Sequence, residues 1–285
     1  MDKIVIPKPK NDSLLAQLGS LYYAFANTEN KNNLEFDLSL LDWVCPLLIL
    51  PLSAYINDAG NKYKANPSDK IRAYLEIISF PRGIDSISSF QRKIQEHKTY
   101  IPISVLRKEK GTQREKLEAL FAEKIYKILG NIAGVQNAVC YPIAELVTNI
   151  FEHSKKDTGF IFGQFYPAKD YLDICIADCG RGFSGAYKEE KGLELSDSAA
   201  ISEVMKGNSV KPEKERGYGI RTSKRIICEA LDGGGFIMIS GSAALVSENK
   251  RENLVSLPNF HWQGVIVAYR IPRPRGPIDI SRFIE

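Results

Sequence analysis

Glu145 and Asn149 stand four residues apart within an apolar pattern of Ile143, Leu146, Val147 and Ile150, and His153 follows one turn later. Residues at that spacing project from one face of a helix. The Asn oxygen suits Mg2+, a hard cation that takes oxygen ligands and keeps part of its hydration shell. The Glu carboxylate one turn away can accept a proton from a water or hydroxyl held within hydrogen-bond reach. Alone, the pair fits equally well an ordinary helix with two polar surface residues.

Two further strings bear on the same chemistry. Leu172, Ile174 and Ile176 alternate along a strand-like segment that delivers Asp178 to the turn Cys179, Gly180, Arg181, Gly182. A buried carboxylate there can accept the exocyclic amine of adenine, and glycines let the backbone approach a flat ring without a Cβ in the way. The same string is also compatible with a plain β-turn. Arg216, Gly217, Tyr218 and Gly219 then precede a helical segment at 221–231 that gives way to Gly233, Gly234 and Gly235. Such a start aims free N–H groups and the positive end of a helix at phosphate oxygens. The 34 residues between Gly182 and Gly217 are rich in Ser, Lys and Glu, including Lys188, Lys206, Lys211 and Lys214, and read as a mobile lid. On closure Lys211 or Arg216 could neutralise a γ-phosphate; each lid lysine is otherwise a solvated charge.

The elements that must position these groups follow from periodicity. Residues 34–41 alternate as a half-buried strand, 44–55 read as a helix with Pro46 in its first turn, 72–80 as an apolar strand stopped by Pro81, 86–97 as a short helix and 100–106 as a strand. Over 113–132, Leu117, Leu120, Phe121, Ile125, Ile128 and Leu129 form one apolar stripe, which predicts a helix packed on the core; a dimeric coiled coil is the alternative. The proline-rich stretch 271–277 is expected to run over the surface.

Composition bounds the rest. A chain of 285 residues that is 44% hydrophobic has material for two modest domains. Its 38 basic and 34 acidic residues leave a net charge of +4 spread along the sequence, which gives nucleic-acid binding little support. Five cysteines without a CxxC pair argue against a disulfide framework or zinc site and fit a reducing cytoplasm. No charged-then-apolar leader is present, and the apolar run 43–52 is too short for a bilayer and contains Pro46 and Pro51, so a soluble protein is expected.

Taken together, the three strings resemble the nucleotide-binding domain of the GHKL superfamily, which includes gyrase, the heat-shock chaperone ATPases, histidine kinases and the mismatch-repair protein MutL. The resemblance spans about residues 113–272. It implies an α/β sandwich whose mixed sheet supports helices, with ATP held between helices and lid. Glu145 and Asn149 match the N box, Asp178, Gly180 and Gly182 the G1 box, and Gly217 and Gly219 the G2 box. Glu145 would be the catalytic base and Asn149 the Mg2+ ligand. His153, Lys211, Arg216 and Tyr218 would join Asn149, Asp178 and the four box glycines around the nucleotide. His153 and Ser154 sit where kinase-like members carry similar residues. On a late strand the family's Gly-Thr pair is replaced by Gly264 and Val265, so one hydroxyl contact to the base is missing.

The N-terminal part resembles STAS-like modules through Phe36, Asp37, Leu38, Ser39 and the residues up to Pro46. Ser39 lies before the helix start, and phosphorylation is not carried over. The expected organisation is an α/β chain, with a STAS-like regulatory or interaction domain at 1–112 and a GHKL ATP-binding domain at 113–285. The expected function is Mg-dependent ATP binding with hydrolysis, in a bacterial regulatory or defence role. A serine/threonine kinase of the anti-sigma type and a nucleotide-gated interaction module without turnover are the alternatives. A protein partner would engage the N-terminal domain, and a homodimer is compatible. A histidine autokinase is disfavoured because His97 lacks a helical hairpin, and DNA-topology or mismatch-repair roles are disfavoured because no transducer domain follows.

Overall fold

The computed structural model describes residues 2–29, 33–64, 69–94, 97–208, 210, 219–231 and 233–284. In chain order the elements are β1 (Asp2–Val5), α1 (Leu14–Phe25), β2 (Leu34–Asp37), α2 (Pro46–Ala59), β3 (Lys62–Lys64), α3 (Asp69–Ile77), α4 (Ile87–Lys93), β4 (Tyr100–Arg107), α5 (Gly111–Leu129) and α6 (Val135–His153). There follow β5 (Thr158–Tyr166), β6 (Tyr171–Ala177), α7 (Gly182–Lys191), α8 (Asp197–Lys206), α9 (Gly219–Arg225) with a π-helical continuation (Ile226–Ala230), β7 (Gly235–Gly241), β8 (Ala243–Glu248), β9 (Arg251–Ser256) and β10 (Trp262–Pro272).

The chain is mixed α/β with two sheets. Strands β1, β2 and β3 form a parallel three-stranded sheet whose crossovers are α1 and α2. The register sets Ile4, Phe36 and Tyr63 on one face and Lys3, Glu35 and Lys62 on the other, so one side is apolar and the other charged. Local signals start the two helices. Ser13 accepts the Ala16 N–H at the head of α1, and Pro46 opens α2, where a missing N–H costs nothing. Gly60 closes α2 in the left-handed conformation.

The large sheet has seven strands in the order β4-β5-β6-β10-β7-β8-β9. Every pairing in it is antiparallel, unlike the mixed sheet that the GHKL resemblance implies. Its central strands are apolar on both faces. Phe160, Phe162, Cys175, Ile237, Ile239 and Ile266 turn toward α1 and α2. Ile161, Ile174, Ile176, Met238, Val267 and Tyr269 turn toward α5, α6 and α9. Phe36 of β2 contacts Phe25 of α1 and Tyr55 of α2, and both of these contact Trp262 of β10. The order of layers is therefore small sheet, helix pair, large sheet, helix layer.

Two expectations, on residues 72–80 and on Ile271 and Pro272, are corrected. Residues 72–80 form most of helix α3 and the turn after it, because Ile71, Leu75 and Ile78 are buried at helical spacing while Arg72 and Glu76 are exposed. The break expected between 112 and 113 falls inside α5, and β4 before it pairs with β5 from Tyr100↔Gln164 to Arg107↔Thr158. The N-terminal residues also share a core with the large sheet. Finally, Ile271 and Pro272 end the central strand β10, while 273–277 run along the surface as expected; Ile280 and Phe283 beyond them are buried in the helix-layer core. Helix α5 buries Leu117, Phe121, Ile125 and Leu129 within the chain, packed with α6.

One ionic contact ties the layers together. Arg270 and Asp173 are cross-strand partners and meet bidentately, Nε to Oδ1 at 2.7 Å and a terminal nitrogen to Oδ2 at 2.8 Å. Gln17 of α1 donates to the same carboxylate at 3.2 Å, and Arg270 donates to the Asp12 carbonyl at 2.7 Å. Burial alone would favour a protonated Asp173, and the guanidinium opposes it. Arg270→Met leaves that carboxylate buried without its counter-ion. Urea denaturation should show a loss of about 3–5 kcal/mol, and less when Asp173→Leu is added.

Candidate functional site

Helix α6 buries Ile143, Leu146, Val147 and Ile150 in the helix-layer core, which turns Glu145, Asn149 and His153 outward together on its other side. All three line one cavity of about 930 Å3, a volume that includes its open mouth. Asp178 and Gly182 of one turn and Gly219 at the start of α9 line it too. Ile150, Ile176, Val265 and Val267 supply apolar floor, and Phe183, Ala186, Tyr187 and Val204 form the wall contributed by α7 and α8. A deep, largely apolar cleft with a few convergent polar groups is what a small-molecule site requires.

Asp178 leaves the end of β6 fully buried. Its carboxylate accepts the Gly180 N–H at 2.8 Å, and its own N–H donates to the Val265 carbonyl at 3.0 Å. Burial pushes the carboxyl up to about 7, against the opposing pull of the Gly180 and Val265 backbone and the Lys156 charge. Desolvation wins here because one or two amide donors do not replace a hydration shell. Near neutral pH this carboxyl therefore carries a labile proton.

The glycines serve close approach. Gly264 has φ +120°, and a side chain there would collide with the Asp178 carbonyl. Gly182 has φ +65°, and a Cβ would come to 2.8 Å from Ser240 Oγ. A Cβ on Gly219 would strike Glu145 Oε2, so the carboxylate lies directly against the start of α9. Gly180 packs on Ser154, behind the cavity wall, and its contribution is the N–H given to Asp178. Lys211, Arg216, Gly217 and Tyr218 lie outside the described residues.

The segment expected as a mobile lid contains two helices, α7 and α8, and its described part is held at the start of α7 and at the start of α8. Arg181 donates to the His153 carbonyl at 2.7 Å and reaches Glu189 and Glu190 of α7 at 2.5 and 2.7 Å. Asp197 accepts from Ser184 Oγ at 2.7 Å and from the Ser242 N–H and Oγ at 2.8 and 2.9 Å. Lys188 and Lys206 pair with Glu194 and Glu203 on the surface. Sequence reading missed Arg181 and Asp197, although Ser196 before Asp197 and Gly207 ten residues later are start and stop signals for a helix. Among the described residues no cluster of three or more His, Cys, Asp or Glu could hold a metal ion.

Comparison with protein-family models, curated proteins and solved structures finds no match to this chain. No helix among the described residues is long and apolar enough to cross a membrane.

The raised Asp178 value has a measurable sign. The folded state holds its proton up to about pH 7 while the unfolded chain releases it near 3.8, so stability falls as pH rises through that window. Asp178→Asn removes this term. Chemical denaturation at pH 4 to 8 should show the variant gaining on wild type with rising pH, by on the order of 4 kcal/mol across the window. Parallel pH profiles would reject a perturbed Asp178.

Proposed function

We propose that the chain binds MgATP in the cavity between α6, the Asp178 turn and the α7–α8 wall, as a GHKL-type nucleotide site, and hydrolyses it. One observation carries this reading. Glu145, Asn149, His153, Asp178, Gly182 and Gly219, singled out as three separate strings, line a single cavity. The fit of the nucleotide rests on two features: a buried carboxyl oxygen able to accept an exocyclic amine, and glycine backbone that a Cβ would block. Mg2+ fits as an ion carried in with the phosphates, since it commonly takes only one or two protein ligands. Asn149 would supply the amide oxygen. The metal contributes charge neutralisation at the phosphates when bound.

In this reading Glu145 takes the proton of an attacking water, and its contact with Gly219 at the start of α9 fixes its position. His153 stands one turn beyond Asn149 at the same wall. The β1–α1–β2–α2–β3 unit is the part that resembles a STAS-like module, and it would carry the protein partner. A second reading, a nucleotide-gated module with negligible turnover, is favoured by one contact. Trp262 of β10, packed against Phe25 of that unit, donates to the Asp178 carbonyl, so one residue bridges the nucleotide turn and the N-terminal layer.

Calorimetry tests the metal position. Asn149→Ala should weaken binding of ATP in the presence of Mg2+ by about tenfold or more while leaving metal-free binding little changed, and an unaltered Mg-dependent affinity would remove Asn149 from this role. Turnover is read by following the γ-phosphate. Free phosphate is expected from wild type, and from Glu145→Ala at a rate lower by roughly two to four orders of magnitude. ATP that stays bound and intact would favour the gated module, and label passing to a protein hydroxyl would favour a kinase.

A further inference from the structure

The turn that carries Asp178 is held from behind by residues that do not reach the cavity. Trp262 is buried in β10, and its indole N–H donates to the Asp178 carbonyl at 2.9 Å. The indole packs edge-on against Phe25 of α1 at 5.3 Å and lies 6.4 Å from the Tyr55 ring of α2. A register shift in β10 between Trp262 and Val265 leaves Gly264 beneath the Asp178 carbonyl, where no side chain fits. A second, indirect link to the N-terminal layer runs through Lys156, just beyond the end of α6. Its Nζ meets Asp58 at the C-terminal end of α2 at 2.8 Å, and its backbone N–H is anchored on Ser154 Oγ at 3.0 Å. The Lys156 charge is felt by both Asp178 and the buried Cys179 beside it.

Trp262 of β10 thus joins the turn to the N-terminal layer through its packing on Phe25 and Tyr55, and Lys156 joins α2 to Ser154, whose carbonyl accepts the Arg181 N–H of that turn. We propose that Trp262 and Lys156 are positioning residues for the nucleotide base: they fix the Asp178 turn from the rear, so the α1–α2 layer sets the preference for adenine. This rests on reading Asp178 as the group that faces the base. Of the two, Trp262 carries more, because its hydrogen bond is fully buried whereas the Lys156–Asp58 pair is partly exposed, with side chains 38% and 39% accessible. A carboxylate that must meet an amine within a few tenths of an ångström depends on such supports.

The test compares MgATP, MgGTP and magnesium tripolyphosphate by calorimetry on the full chain, as wild type, Trp262→Phe and Lys156→Met. Trp262→Phe keeps an aromatic ring and deletes the donor. It should weaken MgATP about tenfold and reduce the ATP-over-GTP preference by a similar factor, with tripolyphosphate affinity unchanged. Lys156→Met should act in the same sense by about threefold. Two variants that keep the wild-type preference would overturn the proposal, as would a parallel loss of tripolyphosphate binding, which marks general damage to the site. Wild type that binds no nucleotide, or binds GTP as well as ATP, would instead overturn the underlying base assignment and this proposal with it.

Discussion

The large sheet is apolar on both faces, and the other layers follow from covering it. Successive residues of a strand point to opposite sides, so runs such as Phe160-Ile161-Phe162 and Ile174-Cys175-Ile176 bury every member only if both sides are packed. Each such side chain is worth roughly 1.5–3 kcal/mol when removed from water. One face receives α5, α6 and α9 and becomes the site side. The other receives α1 and α2, and with them the small sheet, whose outer face is free to be charged. The N-terminal residues thereby share a core with the cavity-bearing sheet.

The site sits where this packing is deliberately imperfect. At the end of β6 the chain places a carboxyl in the apolar layer, and the donors around it recover only part of the lost hydration. Close backbone approach compensates in geometry for what solvation does not supply. Gly264, Gly180 and Gly182 let three segments crowd around Asp178, and Trp262 closes the turn from the rear. A buried polar group held this way is pre-set for a ligand that brings its own donor.

What could be read in the sequence was what local periodicity controls. Glu145, Asn149 and His153 share a wall because an amphipathic helix leaves them no alternative once Leu146 and Ile150 face the core. Asp178 follows from a strand ending in a glycine turn. Periodicity failed where an apolar run is short: Ile71, Leu75 and Ile78 are spaced for a helix, but Tyr74 and Ile77 between them imitate a strand. It failed again at α7 and α8, whose polar surfaces conceal helices that are anchored by Arg181 and Asp197 through partners far away in sequence. The shared core depends on contacts between residues more than one hundred positions apart, such as Gln17 with Asp173, and the closure of the sheet on the distant pairing of β6 with β10, which no local pattern encodes.

Strand β10 is the last in sequence among the described strands, yet it occupies the centre of the sheet, hydrogen-bonded to β6 on one side and β7 on the other. During synthesis, a chain emerged only to Ser256 has made both neighbours of that slot and has nothing to fill it. The two strand edges, apolar on each face, must wait open until Trp262–Pro272 arrives. The cavity is completed by the same insertion, since Val265 and Val267 arrive with it. A nascent or prematurely terminated product therefore carries the helix with Glu145 and Asn149 but no floor beneath it, and quality control on the ribosome meets an exposed, sticky half-sheet.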